Sequence, residues 1–213
     1  MENTEKIIAK ALLEIKAVFL SPNNHFTWAS GIRSPIYCDN RLILSYPSTR
    51  RMVEQALAET IRTHYPEAEL LAGTSTAGIP HAALVADILN LPMAYVRGTN
   101  KDHGRQNQIE GRIDAGQKVV VIEDLISTAG SVVDVVETIR DAKATVLGIA
   151  SIFTYEMQKG IDHLAAVNVK NISLSNYTVL VETAVETGYI DETDVEKLLA
   201  FRANPSDESW ITK

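Results

Sequence analysis

Cysteine is all but missing from this chain of 213 residues: the one present, Cys38, stands between Tyr37 and Asp39. An intramolecular disulfide is therefore impossible, and a reducing cytoplasm is the natural setting. As a nucleophile Cys38 would need a base to form its thiolate, and nothing in the sequence places one beside it. A packed thiol is the plainer reading. Aromatics are scarce as well, at 6% of residues, so the core must be mostly aliphatic, as in α/β proteins. Positive charge is in deficit. The formal net charge of −7 argues against a general nucleic-acid or membrane-surface role, since both want a basic face. Any anionic ligand must be held by local basic groups. The N-terminal stretch Met1 to Leu20 is interrupted by Glu5, Lys6, Lys10, Glu14 and Lys16, and reads neither as a signal peptide nor as a membrane span. The five histidines are scattered without metal-ligand spacing, so no zinc site is expected. Repeats, low-complexity tracts and linkers are absent.

What is there suits one compact domain over 1–213, with 46% hydrophobic and 22% charged residues, enough to bury a sizeable core. Ile7, Ile8, Ala11, Leu12, Ile15, Val18 and Phe19 fall at helical spacing. The stretch "NNHFTWASGIRSPIYCDNRLI" mixes strand-forming residues with Ser-Gly and Ser-Pro breaks, which predicts a small lobe of short strands. A helix is expected after Pro47, with Met52, Val53, Ala56, Leu57 and Ile61 facing inward.

From Leu70 onward an α/β rhythm sets in. The apolar runs "ELLAG", "LPMAYV", "KVVVI" and "TVLGIASIF" read as strands. Helices are expected through "HAALVADILN" and through "SVVDVVETIRDA", the latter with Val132, Val135, Val136 and Ile139 inward. That alternation predicts a parallel sheet covered on both faces, with ligands beyond the carboxyl ends of the strands. The loops to watch are "TSTAG", "RGTNKDHGRQNQIEG" and "EDLISTAGS".

The last of these follows the strand "VVVI". Ser127, Thr128 and Ser131 offer hydroxyls, Ala129 and Gly130 let backbone N–H groups come close, and a helix starting near Gly130 adds its positive end. Together they suit a phosphate. Ser127 or Thr128 could instead be a helix cap, but a cap leaves the two acids before them, Glu123 and Asp124, unexplained. Beside a phosphate those acids must bind something between: ribose hydroxyls, a divalent cation, or both. The Walker pattern and the dinucleotide fingerprint are both absent. The segment from Arg97 to Gly111 is long and glycine-bearing, and carries three positive charges and one negative between Arg97 and Arg105. It reads either as a solvated connection or as a mobile lid for a polyanion, excluding water and adding charge when substrate binds.

"VVVIEDLISTAGS" resembles the signature of the type I phosphoribosyltransferases, which bind phosphoribosyl pyrophosphate (PRPP). The resemblance implies that family's fold, a mostly parallel sheet flanked by helices with a small N-terminal hood. The hood would be formed mainly by 20–45, and the PRPP-binding core would span about 65–185. It also implies Glu123 and Asp124 on the ribose, and Leu125 and Ile126 leading to a 5′-phosphate wrapped by Ser127, Thr128, Ala129, Gly130 and Ser131. "FTWASGIRSPIYCDNR" is similar to the hood of the members that act on orotate, "GTSTAGIPHAA" to their pyrophosphate turn, and "RGTNKDHGRQNQIEG" to their catalytic loop. Arg97, Lys101 and His103 then become the catalytic and pyrophosphate-binding residues, and Ser127 reaches orotate. Mg²⁺ is expected, held mainly by PRPP and water, with no direct protein ligand. A homodimer is implied in which the Arg97–Gly111 loop acts on the neighbouring subunit's site.

The pattern departs from the better-known bacterial form at four places, where lysines are replaced by Ala29, Ala77 and Gly98, and an arginine corresponds roughly to Glu156. Arg33 and Arg41 are candidate substitutes. The expected reaction joins orotate to PRPP, giving orotidine 5′-monophosphate and pyrophosphate, in the cytoplasm. The alternatives are a purine or uracil phosphoribosyltransferase, or a PRPP-sensing regulator without catalysis.

Overall fold

The aliphatic runs do build the sheet. A computed structural model describes residues 3–28, 31–98 and 108–212. Helix α1 (Thr4–Glu14) is followed by β1 (Val18–Leu20), β2 (Phe26–Thr27), β3 (Arg33–Ser34) and β4 (Ile36–Cys38), which form two short antiparallel pairs, β1 with β4 and β2 with β3. A 3-10 turn, Asn40–Ser45, leads into α2 (Pro47–His64). The α/β part then runs β5 (Leu70–Thr74), α3 (Gly78–Leu89), β6 (Met93–Val96), β7 (Ile109–Glu110), β8 (Lys118–Ile126), α4 (Gly130–Asp141), β9 (Thr145–Thr154), α5 (Gln158–Ala166), β10 (Asn171–Asn176) and α6 (Tyr177–Glu186), and α7 (Val195–Ala203) ends it.

The central sheet has the order β10-β9-β8-β5-β6-β7. Every neighbouring pair is parallel except β6 with β7. The β8 valines show how both faces are covered. Val120 and Ile122 pack with residues of α1, α2, α3, α6 and α7, whereas Val119 and Val121 pack with Val132, Val135, Val136 and Ile139 of α4. Alternation with period 2 sends successive side chains to opposite layers. Each buried aliphatic side chain contributes about 1.5–3 kcal/mol.

Three details differ from the sequence expectation. Val18 and Phe19 stand on β1, because α1 closes at Ile15 and Lys16 turns the chain with φ 57°. Met52 is exposed, and the inner stripe of α2 is Val53, Leu57, Ala58 and Ile61 together with a carboxylate, Glu54. A charged residue on the buried stripe hid its true phase. Strand β10 was not anticipated, because "NISLSN" alternates polar residues instead of forming an apolar run. Its Asn171 and Ser173 bond to Ser151 of β9 and so stitch the edge on.

Glu54 is answered by His81 of α3, whose Nδ1 lies 2.7 Å from Oε1 with both side chains buried. Burial pushes the Glu54 carboxyl up and the contact with His81 pulls it back. His81 Nε2 and Glu54 Oε2 have no hydrogen-bond partner among the described residues. Removing one member leaves the other buried and unpaired, whereas replacing both with apolar residues does not. His81→Leu is therefore expected to cost about 3 kcal/mol in urea denaturation, and the Glu54→Leu/His81→Leu double variant to be within about 1 kcal/mol of wild type or above it. A double variant as unstable as the single one would contradict this.

Candidate active site

Three loops meet at the carboxyl ends of β5, β6 and β8, and two are physically joined. The first is the turn Ser75–Ala77, which holds a cis peptide between Ser75 and Thr76. It is tight because α3 begins directly against β8: a Cβ at Gly78 would lie 2.5 Å from both Ile122 O and Thr74 Oγ1. The second loop leaves β6 at Arg97. Gly98 N donates to Ser75 Oγ at 2.8 Å, and Arg97 N donates to Gln108 O at 2.8 Å. Arg97 Nε also lies 3.2 Å from Glu110 Oε1. The departing and returning ends of the loop are thus pinned side by side next to the first turn. A cavity of about 260 Å³ between them is lined by Thr74, Ser75, Arg97, Gly98, Ser131 and Asp134, among others. Lys101 and His103 lie outside the described residues, as does Ala29.

The third loop starts where β8 outruns its neighbour. The pairing of β8 with β5 ends at Ile122, opposite Gly73, while its pairing with β9 continues to Ile126, opposite Thr154. Past Ile122 the backbone on the β5 side needs other partners. Thr74 Oγ1 lies 3.3 Å from Ile122 O and donates to Glu123 Oε1 at 2.8 Å. Asp124 N donates to the same Glu123 oxygen at 2.9 Å, and Asn40 Nδ2 donates to Asp124 O at 2.7 Å. The two acids therefore differ: Glu123 is buried and tied down, whereas Asp124 is half-buried.

Burial, with the Asp124 carboxylate next to it, pushes the Glu123 carboxyl up to about 8. An unfolded chain loses that proton near the ordinary value of 4.5, and the folded chain keeps it until about 8. Between those limits rising pH favours the unfolded state. Glutamine keeps the accepting oxygen but cannot ionise. The stability of Glu123→Gln relative to wild type is thus expected to improve by about 3.5 kcal/mol from pH 5 to pH 8, read from thermal midpoints. A difference independent of pH would contradict it.

After β8 the chain turns at Ala129, which precedes α4 in the left-handed conformation (φ 59°), and among the described residues no side chain caps the helix. The cap reading of Ser127 and Thr128 falls, and the backbone strain of order 1 kcal/mol at Ala129 sits at a helix N-terminus. Ser127 and Gly130 are half-buried, and Thr128 and Ser131 are exposed. Leu125 packs partly on one core layer and Ile126 is buried in the other. Helix α5 buttresses the loop so closely that a Cβ at Gly160 would lie 2.4 Å from Ser127 O.

The candidate substitutes for the missing basic groups, Arg33 and Arg41, both face carboxylates. Arg41 grips Asp39 through Nε at 2.6 Å and Nη2 at 2.8 Å, holding that carboxyl below its ordinary range. Arg33 faces Glu208 at 3.6 Å. Glu156 accepts from Thr178 N at 2.9 Å, and Arg202 of α7 reaches both Glu156, at 3.2 Å, and the Thr178 hydroxyl. An arginine does come to this corner, from 46 residues along the chain. Trp28 stacks on Tyr155, with ring centroids 5.6 Å apart, and so joins the N-terminal strands to the end of β9. Arg202 lies outside every motif, and Asn40 and Thr74, although inside the quoted hood and turn stretches, were given no role by sequence reading.

The family profile described as the phosphoribosyl transferase domain matches residues 43–187. The orotate phosphoribosyltransferase of Bacillus cytotoxicus is 57% identical over 208 residues, covering 98% of this chain and 99% of the relative. Among solved structures, orotate phosphoribosyltransferase from Aeropyrum pernix superposes with a TM-score of 0.76 at 29% identity, covering 86% of this chain and 99% of that one. Leishmania donovani UMP synthase gives 0.78 at 27% identity, covering 93% of this chain and 42% of that longer protein. A parallel sheet whose β8 ends in two acids and an uncapped helix N-terminus, matched along nearly its whole length by these relatives, belongs to the phosphoribosyltransferase family and, within it, to the orotate phosphoribosyltransferases.

Proposed function

We propose that the chain transfers the ribose-5-phosphate of PRPP to N1 of orotate, forming orotidine 5′-monophosphate and pyrophosphate, as a step in pyrimidine (UMP) synthesis in the cytoplasm. The observation that carries this reading is the β8 end: a half-buried carboxylate, Asp124, stands a few residues before a helix start that no side chain caps. One ligand that is both sugar and phosphate satisfies both. Asp124, with Glu123 behind it, meets the ribose hydroxyls. Ser127 to Ser131 and the first N–H groups of α4 meet the 5′-phosphate. Ser127, first after the strand and half-buried, is the residue that also reaches the base.

In the reaction the N1–C1 bond forms as the bond from C1 to the pyrophosphate oxygen breaks, through an oxocarbenium-like carbon, and the proton on N1 is released to the leaving pyrophosphate or to water. The electron pair goes to the leaving oxygen. Arg97 and Lys101 stabilise that charge, and His103 hydrogen-bonds or protonates it. The pinned ends of the loop support this role, since they fix its root beside the turn after β5. Magnesium fits the residues present in one way. Asp124 is half-buried, a single carboxylate that would reach Mg²⁺ through water while PRPP supplies the ligands. Bound there, Mg²⁺ would neutralise the pyrophosphate oxygens.

The reading of 1–213 as one domain, with 20–45 as the hood over a core of about 65–185, is supported by the Trp28–Tyr155 stack. A homodimer, in which the Arg97–Gly111 loop serves the neighbouring site, is supported by exposed Leu42, Tyr46, Met52 and Leu84. They lie on the 3-10 turn and its boundary, α2 and α3, elements packed together, and exposed apolar side chains on neighbouring elements suit an interface. No described helix is long and apolar enough to cross a membrane. Incubation with PRPP, Mg²⁺ and, in turn, orotate, uracil, adenine and hypoxanthine tests the base. Orotate alone is expected to be converted, and preferential conversion of another base would overturn the assignment.

A further inference from the structure

We infer that Asn40 is a positioning residue for PRPP, setting the orientation of the acidic strand end from the N-terminal lobe. The inference rests on the ribose assignment of Glu123 and Asp124. Residues two apart in a strand point their carbonyls to the same side. Ile122 O faces β5, where Thr74 Oγ1 approaches it at 3.3 Å, so Asp124 O faces the same side. There β5 has already ended, since its last pairing with β8 is Gly73 with Ile122. No strand is left to bond Asp124 O, and Asn40 Nδ2 takes that place at 2.7 Å.

Several contacts fix Asn40 itself. It opens the 3-10 turn, whose preceding residue, Asp39, accepts from Arg41 N and donates its own N–H to Ala17 O at 2.7 Å. The side chain is 1% exposed. Its Oδ1, in contrast, is buried without a hydrogen-bond partner among the described residues. An acceptor left dry costs about 1–3 kcal/mol, so an apolar residue of similar shape would suit packing as well or better. What that residue could not supply is the N–H to Asp124 O. With the Asp124 N–H held by Glu123 and its carbonyl held by Asn40, both backbone groups of Asp124 are fixed by side chains. Its carboxylate has a set direction before ligand arrives. Preorganisation of this kind raises affinity by removing an ordering cost at binding. It also makes the lobe and the sugar site one mechanical unit.

The test is calorimetric titration of Asn40→Leu with PRPP and Mg²⁺. The expected result is a Kd raised about tenfold or more, an orotate KM that changes much less than the PRPP KM, and a thermal midpoint without ligand close to that of wild type. Asn40→His, which restores an N–H at similar reach, should recover most of the affinity. If the leucine variant does not fold, Asn40→Ala carries the same measurement. A folded variant without the amide whose PRPP affinity stays within about twofold of wild type overturns the proposal, as does a loss of stability with no loss of affinity. Asp124→Asn, titrated alongside, separates the two levels. If it also leaves PRPP binding unaltered, the ribose reading fails; if it weakens binding while Asn40→Leu does not, only the role of Asn40 fails.

Discussion

Lys101→Ala is expected to lower turnover about a hundredfold to a thousandfold, with the far-ultraviolet circular dichroism and thermal midpoint unchanged. Arg97 and Gly98, where the chain leaves β6, are exposed and belong to neither core layer, so the substitution is expected to leave folding untouched. The two described ends that flank Lys101 are pinned. Arg97 pairs with Gln108 through the backbone and Gly98 with Ser75 through a side chain. On the proposed mechanism, charge carried between those ends would act on the leaving pyrophosphate. Preorganised cations stabilise developing negative charge most strongly where water is excluded, and removing one such group usually costs two to three decades in rate, about 3–4 kcal/mol. The net charge of −7 sharpens the point, because the overall field does not attract pyrophosphate. Turnover that survives the substitution would remove this loop from the chemistry.

Asp124→Asn is expected to weaken PRPP binding about tenfold to a hundredfold, the worth of a charge-assisted hydrogen bond of about 1.5–3 kcal/mol. Asparagine keeps the size of the side chain, and the backbone bonds to Glu123 and Asn40 do not depend on it. The fold should therefore hold while the affinity falls. Glu123 is the informative contrast. It is buried and already bonded to Thr74 and to the Asp124 N–H, so its replacement acts first on the strand end and on pH-dependent stability. Equal PRPP affinity for Asp124→Asn and wild type, by isothermal titration, would argue against the ribose assignment.

Much of this was legible in the residues, and what was not has identifiable causes. The apolar runs from Leu70 onward became β5, β6, β8 and β9 because a strand buried on both faces must be continuously apolar. Val132, Val135, Val136 and Ile139 faced the core as their spacing required. Glycine and hydroxyl residues after two acids pointed to a sugar-phosphate loop, the reading on which the proposed function rests. Polar side chains inside regular elements defeated the reading. Glu54 sat on the inner stripe of α2, and β10 alternated polar residues that bond to β9. Long-range partners left no trace either. Asn40 meets Asp124 across 84 positions and Arg202 meets Glu156 across 46, and no local pattern announces a contact made only by the fold. Of the four departures from the lysine- and arginine-bearing pattern, Glu156 now has a structural account through Thr178 and Arg202, and Gly98 serves through its N–H to Ser75.

The central claim is that β8 and its loop hold a sugar phosphate for transfer to orotate. Its most direct test is the ultraviolet absorbance of orotate, followed after the protein and Mg²⁺ are mixed with and without PRPP. The account predicts that orotate absorbance falls only when PRPP is present, with one pyrophosphate released for each orotate consumed. Orotate that persists with PRPP and Mg²⁺ present, in protein shown to be folded, would contradict it.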